Sequence, residues 1–135
     1  MNWRHALFLA LLSMTLLGCS RAVQAGDPDR GSVLYNQQTL GDSAPGCVTC
    51  HSLAPGEVKV GPSHAGIVVQ AEEVIQRPDY HGEARLPEDF LRESITNPDL
   101  YIEQGFQAGI MYPNYAQKLS GEDIEDLVAF LMTLR

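Results

Sequence analysis

Two cysteines and a histidine stand close together in the segment Cys47-Val48-Thr49-Cys50-His51. On a helical turn, residues three and four apart share a face, so Cys47 would lie beside both Cys50 and His51. Two thiols at this spacing can form a redox disulfide, supply half of a metal site or attach a haem group. The histidine that follows the second cysteine distinguishes these three chemistries.

The pattern Cys-x-x-Cys-His is the signature of covalent haem c attachment. The two thiols can add to the haem vinyl groups, and the imidazole of His51 can reach the iron from one side. A thioredoxin-like site would follow a strand in a βαβ pattern, and no such strand is indicated before Cys47. A structural zinc site would need a second ligand pair, whereas only His64 and His81 follow, with no further cysteine. We therefore predict one covalently bound haem c.

The amino terminus has the pattern of a secretory signal. Arg4 precedes an apolar run over residues 6–17, which is shorter than the about 20 residues that a membrane span needs. The run ends in Leu16-Leu17-Gly18-Cys19, which resembles the lipobox of bacterial lipoproteins. That resemblance implies diacylglycerol on the Cys19 thiol and cleavage before this residue. The alternative is an ordinary signal peptide with a chance cysteine near its end.

These signals divide the chain into a signal peptide over residues 1–18, an acylated tether over 19–29 and one domain over 30–135. Removal of the signal peptide takes away Arg4, so the 9 Lys and Arg fall to 8 against 17 Asp and Glu, a balance of −9. Phosphate contacts need a basic face, so this balance argues against nucleic-acid binding. A docking partner with a basic or neutral surface suits the charge better.

Three segments have helical signals. Asp29 can cap a first helix over Asp29–Gln38, which has an apolar side. Pro87 suits the start of a second helix, which Asn97-Pro98 would end. Ser120 suits the cap of the last helix, in which apolar residues recur at i, i+3, i+4 and i+7: Ile124, Leu127, Val128 and Leu131.

The remaining segments are mostly rich in turn residues. Residues 41–46, 52–66, 76–85 and 100–113 are predicted loops, and the apolar segment 67–75 is ambiguous in its secondary structure. The fold class that results is all-α, with three to five short helices and long loops. Such helices bury little apolar surface against one another, so the chain needs another group at its centre.

After His51 comes the sequence Gly61-Pro62-Ser63, and with it the chain resembles the class I cytochromes c over residues 31–134. The resemblance implies the cytochrome c fold, wrapped around one haem. It also implies that the carbonyl of Pro62 accepts a hydrogen bond from the proximal histidine, as metal-ligating imidazoles usually require. The alternative for Pro62 is a simple turn proline.

The terminal helices carry a second part of the resemblance. Gly31 and Tyr35 in the first helix, and Leu127 and Phe130 in the last, match positions at which the terminal helices of the family cross. Glycine at a crossing allows the two backbones to approach closely. The alternative for these four residues is ordinary helix composition.

The resemblance also implies a methionine as the second axial ligand, in a loop before the last helix. Met111 occupies such a loop, although Tyr112 separates it from the proline that often follows this ligand. Met132 belongs to the last helix and suits a helix-face position. The alternatives for the sixth position are His64, His81 or an open iron, and for Met111 a gap-filling core role. We predict Met111, with His51, as the metal ligands.

A haem with two axial side chains has no vacancy for a substrate, and this predicts a one-electron carrier rather than an enzyme. An apolar wrap around the haem is expected from Val60, Ile67, Phe90 and Ile110. A haem-based enzyme or gas-binding sensor with an open iron is the main alternative. A third hypothesis is a structural subunit in which the haem only stabilises the fold.

The predicted location is the outer face of the inner membrane, on the periplasmic or another extracytoplasmic side, with acylated Cys19 in the lipid. A lipid anchor raises the concentration of the carrier near membrane complexes. The expected partner is therefore a membrane-bound respiratory or photosynthetic electron-transfer complex or another redox protein. The chain is also similar to the small lipoprotein cytochromes of such complexes, among which the monohaem subunit of alternative complex III is one candidate.

Overall fold

The computed structural model of the chain describes residues 25–135. The predicted signal peptide and Cys19 lie outside the described residues. The described part contains six helices and one two-stranded ribbon. In chain order these elements are α1 (Pro28–Tyr35), β1 (Thr39–Leu40), β2 (Ala44–Pro45), α2 (Cys47–Cys50), α3 (Ile67–Val74), α4 (Pro87–Thr96), α5 (Tyr115–Lys118) and α6 (Gly121–Leu131).

The all-α class is confirmed, but the count of helices within residues 25–135 exceeds the predicted three to five by one. Two of the six, α2 and α5, have only four residues each, and periodicity cannot reveal elements so short. The ambiguous segment 67–75 is helix α3, with Ile67, Val68, Ala71 and Val74 buried. The predicted loop at residues 41–46 contains β2, which pairs antiparallel with β1 in the register Thr39 to Pro45 and Leu40 to Ala44.

The first helix begins one residue earlier than predicted and ends three residues earlier. Asp27, not Asp29, is its cap, because the Asp27 carboxylate accepts hydrogen bonds from the amides of Asp29 and Arg30, at 2.9 and 3.3 Å. Pro28 then occupies the first helical position, where its missing N–H leaves no hydrogen bond unmade. Asp29 lies within the first turn, where its charge still favours the helix dipole.

The last helix begins as predicted. The Ser120 hydroxyl accepts a hydrogen bond from the Asp123 amide at 3.1 Å, and the Asp123 carboxylate accepts one from the Ser120 amide at 3.1 Å. This reciprocal capping box satisfies two amides at the helix start. Its predicted apolar stripe is buried, at Ile124, Leu127, Val128 and Leu131.

Helices α1 and α6 pack closely, as the resemblance implied. The rings of Tyr35 and Phe130 meet with their centroids 5.2 Å apart. Arg30 Nη2 lies 2.8 Å from Oδ2 of Asp126, a carboxylate that is 2% exposed. Within the described residues this oxygen has no partner in hydrogen-bond geometry, so the contact is an ion pair held by charge attraction. The other oxygen accepts from the Asp27 amide at 2.6 Å.

Helix α4 packs against α6, and α3 packs against α4. The Arg92 guanidinium donates two hydrogen bonds to the Glu125 carboxylate, at 2.7 and 2.8 Å, and so connects α4 to α6. Phe90, Leu91 and Ile95 form the buried face of α4. No helix within residues 25–135 is long and apolar enough to cross a membrane.

Candidate haem site

A cavity of about 460 Å³ lies between α2, α3, α4 and the loop that precedes α5. Cavities of this size and apolar character are typical of cofactor sites. The four residues predicted as an apolar wrap all line it: Val60, Ile67, Phe90 and Ile110. Ile67 and Phe90 are buried, whereas Val60 and Ile110 are more than half exposed, so the wall reaches the protein surface at the latter two.

The histidine of the Cys-x-x-Cys-His segment has a fixed orientation beside this cavity. His51 Nδ1 donates a hydrogen bond to the carbonyl oxygen of Pro62 at 2.8 Å, which is the contact implied by the resemblance. Since the carbonyl only accepts, the proton belongs to Nδ1, and Nε2 remains available as an acceptor or a metal ligand. His51 is only 8% exposed, and this burial lowers its pKa below the ordinary value. The imidazole is therefore neutral at pH 7, the form that binds metals.

The absence of a side chain at Gly61 leaves room for the His51 imidazole. A Cβ atom at Gly61 would lie 2.4 Å from Cε1 of His51 and 2.8 Å from Nδ1, distances at which atoms overlap. The amide of Gly61 donates to the carbonyl of Cys50 at 2.9 Å, so the backbone is held against the ring. Glycine is required here because the chain passes directly beside the histidine. The predicted loop over residues 52–66 did not reveal this requirement.

Both thiols line the same cavity. Cys47 and Cys50 begin and end α2, and the amide of His51 donates to the carbonyl of Cys47 at 2.9 Å, which completes the turn. Neither forms a disulfide, so a redox disulfide is not the arrangement seen. Burial raises the pKa of the Cys47 thiol to about 11, and the thiol is therefore protonated at neutral pH.

Met111 lines the cavity and packs against the buried core. The loop before it turns at Gly105 and Gly109, whose φ angles are +96° and +75°, in the region that favours glycine. The Asp99 carboxylate accepts a hydrogen bond from the Gly109 amide at 2.8 Å and so closes this loop. No local pattern marks Asp99 as part of the site, because a surface aspartate three residues after a helix end is ordinary.

The structure distinguishes the other candidate ligands, His64, His81 and Met132, from His51 and Met111. His81 is exposed, and Met132 follows α6 at a position that does not line the cavity. His64 lines the cavity, but its ring is stacked on His51, with centroids 3.9 Å apart and planes inclined by 20°. Burial and the nearby His51 lower the pKa of His64 to about 3. The ring of His64 therefore lies on the same side of the cavity as His51.

The arrangement fits a haem and not the competing metal site. Within residues 25–135, no cluster of three or more His, Cys, Asp or Glu side chains could hold a metal ion such as structural zinc. Instead, two free thiols, one oriented imidazole and one thioether surround a single apolar cavity. These are the groups that covalent attachment and axial ligation of a haem require.

The Cytochrome c family model matches residues 28–135. The comparison with curated proteins gave no match. Proteins of the matched family carry a covalently attached haem, usually one in a single domain, and are generally electron carriers located outside the cytoplasm. Since the match spans most of the chain and the cavity fits this group, the chain belongs to the cytochrome c family, binds one haem c covalently and functions in electron transfer.

Proposed function

We propose that this chain is a one-electron carrier on the outer face of the inner membrane, with Cys47 and Cys50 bonded to the haem vinyl groups. His51 and Met111 are the axial ligands in this proposal, and Pro62 orients His51. The carrier is a subunit of a respiratory or photosynthetic complex or a shuttle to one. The open-iron enzyme or sensor remains the competing hypothesis, and it requires that Met111 is not a ligand.

The observation that carries the proposal is the hydrogen bond of 2.8 Å between His51 Nδ1 and the Pro62 carbonyl, beside a cavity that Met111 also lines. The hydrogen bond holds one tautomer and leaves Nε2 for the iron. A bound haem c supplies one iron that alternates between the ferrous and ferric states. A histidine and a methionine on that iron leave no site for a substrate, which favours a carrier over an enzyme.

The residues of the cavity wall also support the role of an electron carrier. Ile67, Phe90 and Leu91 give the cavity buried apolar walls, and such a low-dielectric environment disfavours the extra positive charge of ferric iron. A methionine ligand acts in the same direction, since it raises the reduction potential. Exposed Val60 and Ile110 lie where the wall meets the surface, and an electron would enter or leave most directly there.

Acylation of Cys19 would confine the carrier to a membrane. One acyl chain gives only weak binding, whereas two or more give a stable anchor. An anchored carrier meets a membrane complex at a high effective concentration. The monohaem subunit of alternative complex III is one candidate identity within this class, and a free shuttle is the other possibility.

Covalent attachment is tested by haem staining of the full chain after export and denaturing electrophoresis. The wild type is expected to retain its pigment, and the double variant Cys47→Ser with Cys50→Ser is expected to lose it, because no thioether can form. Lys59→Ala is a matched control, since Lys59 donates a hydrogen bond to the Val48 carbonyl of the same helix but supplies no thiol. A wild-type band without retained pigment would contradict the proposal.

Membrane location and partner need a separate experiment. Wild-type chain and a variant in which an ordinary secretory signal, cleaved without a lipobox cysteine, replaces residues 1–19 are compared by membrane fractionation, detergent extraction and gel filtration. We expect the wild type in the membrane fraction and the variant in the soluble periplasmic fraction. Elution as part of a large complex indicates a subunit, and elution as a small cytochrome indicates a shuttle. A variant that stays bound to the membrane in the same amount as the wild type would refute the lipid anchor.

A further inference from the structure

The ring of His64 covers one face of the His51 imidazole. Their centroids lie 3.9 Å apart and their planes are inclined by 20°, so the two rings are stacked. A hydrogen bond to Pro62 already holds Nδ1 of His51. That bond fixes one atom of the ring, but the torsion that turns an imidazole about its Cβ–Cγ bond has a broad energy minimum. A stacked neighbour restricts the tilt that one hydrogen bond leaves open.

His64 is itself held firmly enough to act as such a restraint. Its amide donates to the carbonyl of Ser52 at 2.8 Å, and its carbonyl accepts from the amide of Ile67 at 3.1 Å. Its backbone is thereby fixed both to the segment that follows His51 and to the start of α3. The side chain is partly buried and borders the cavity.

Tyr35 fixes the ring of His64. The Tyr35 hydroxyl and His64 Nδ1 are 3.1 Å apart and share one hydrogen bond. Tyr35 is fully buried in α1, where it also contacts Phe130 of α6. A chain of contacts therefore runs from the crossing of the terminal helices, through Tyr35 and His64, to His51.

We propose that His64, held by Tyr35, is a positioning residue that sets the orientation of the His51 imidazole plane about its bond to the iron. The inference rests on the proposed role of His51 as an axial ligand. It adds that this orientation is determined by a stacked histidine as well as by the Pro62 carbonyl. The orientation of an axial imidazole controls how the iron d orbitals split, so the effect appears in the spectrum of the ferric protein.

Electron paramagnetic resonance of the ferric, haem-loaded full chain tests this directly. The variants are His64→Leu, which removes the aromatic face, and Tyr35→Phe, which removes only the hydroxyl. His81→Leu is the matched control, because His81 is an exposed histidine. We expect the principal g values to shift in His64→Leu, to shift less in Tyr35→Phe and to stay unchanged in the control.

A second measurement requires no substitution. In the reduced, diamagnetic wild type, nuclear Overhauser contacts between the ring protons of His51 and His64 are expected from the stacked geometry. Their absence would show that the rings are apart and would overturn the inference. This measurement, together with Tyr35→Phe, decides the question if His64→Leu fails to mature.

The remaining outcomes separate this inference from the proposed function. A wild-type ferric signal that is not low-spin and six-coordinate overturns the proposed ligands, whatever the variants do. A normal wild-type signal with unchanged g values in both His64→Leu and Tyr35→Phe overturns only the positioning role. Loss of the low-spin signal in His64→Leu, with haem still attached, would show that His64 is itself a ligand. That result would also overturn the positioning role.

Discussion

Gly31 of α1 lies so close to Asp126 of α6 that a Cβ atom on Gly31 would stand 1.9 Å from the Asp126 carbonyl oxygen. The same atom would lie 2.8 Å from Cβ of Phe130. Backbone atoms cannot yield as a flexible side chain does, so the helices would have to separate. We therefore expect Gly31→Ala to lower the free energy of unfolding by about 1–3 kcal/mol, the usual cost of overpacking.

Denaturant unfolding of the haem-loaded protein measures this change. Gly121→Ala is the control, because Gly121 is also helical but a Cβ there has no neighbour within 4 Å. The control should change stability by only a few tenths of a kcal/mol, or increase it through the higher helix propensity of alanine. Equal stability of Gly31→Ala and the wild type would contradict the close approach of α1 and α6.

Met111 and Met132 differ in their relation to the cavity, since only Met111 lines it. Met111→Ala is expected to open the iron, so that carbon monoxide binds the reduced protein rapidly at neutral pH. The reduction potential should also fall, because the thioether that favours ferrous iron is lost. Met132→Ala should bind carbon monoxide as slowly as the wild type. Rapid binding by the wild type itself would favour the open-iron enzyme or sensor.

The hydrogen bond from the Gly109 amide to Asp99 closes the loop that carries Met111. Asp99→Ala leaves this amide without its side-chain partner, at a cost of about 0.5–1.5 kcal/mol. The fraction of protein with Met111 detached should rise about two- to tenfold, as measured by the rate of carbon monoxide binding. Asp99→Asn retains an acceptor oxygen and should remain close to the wild type. Identical rates in Asp99→Ala and the wild type would show that the loop holds without this bond.

The ion pair between Arg92 and Glu125 gives the stability of the fold a dependence on pH. The hydrogen bonds from Arg92 lower the pKa of Glu125 below its ordinary value of about 4.3. A lowered folded-state pKa stabilises the protein above the unfolded value, and this contribution is lost as the pH falls through the folded value. At pH 7, Glu125→Gln should reduce the free energy of unfolding by about 1 kcal/mol.

Urea unfolding of the wild type and Glu125→Gln from neutral to acidic pH checks this prediction. The difference between the two proteins should narrow below about pH 4, as the wild-type carboxylate gains its proton. Glu73→Gln, at an exposed position of α3, should leave the stability nearly unchanged throughout. A difference that stays constant down to acidic pH would mean that the charge of Glu125 has no part in its effect.

Local patterns were sufficient for much of the fold. The cap at Ser120 and the stripe from Ile124 to Leu131 predicted α6 correctly, because both signals depend only on neighbours within one helix. The start of α4 at Pro87 was predicted for the same reason. The cap of α1 was assigned to Asp29 instead of Asp27, since two aspartates flank Pro28 and only the folded backbone selects one.

Short elements and contacts between distant segments were harder to predict from the sequence. The β1–β2 ribbon and α5 are each too short for periodicity to detect, and they form because the surrounding chain holds them. The stack of His64 on His51 brings together the two ends of the segment between α2 and α3, and its support comes from Tyr35 on α1. No local pattern specifies such a contact, because it depends on where α1 lies relative to the segment that carries both histidines.

The sequence by itself determined the chemistry of this protein, because two thiols and an imidazole at this spacing share one helical turn whatever surrounds them. It also determined the family and the helical class. Only the tertiary structure decided how the imidazole is oriented, since Pro62, Gly61 and His64 reach His51 through the folded chain. Only the tertiary structure also brought Met111 to the same cavity, across a distance along the chain that local interactions do not span.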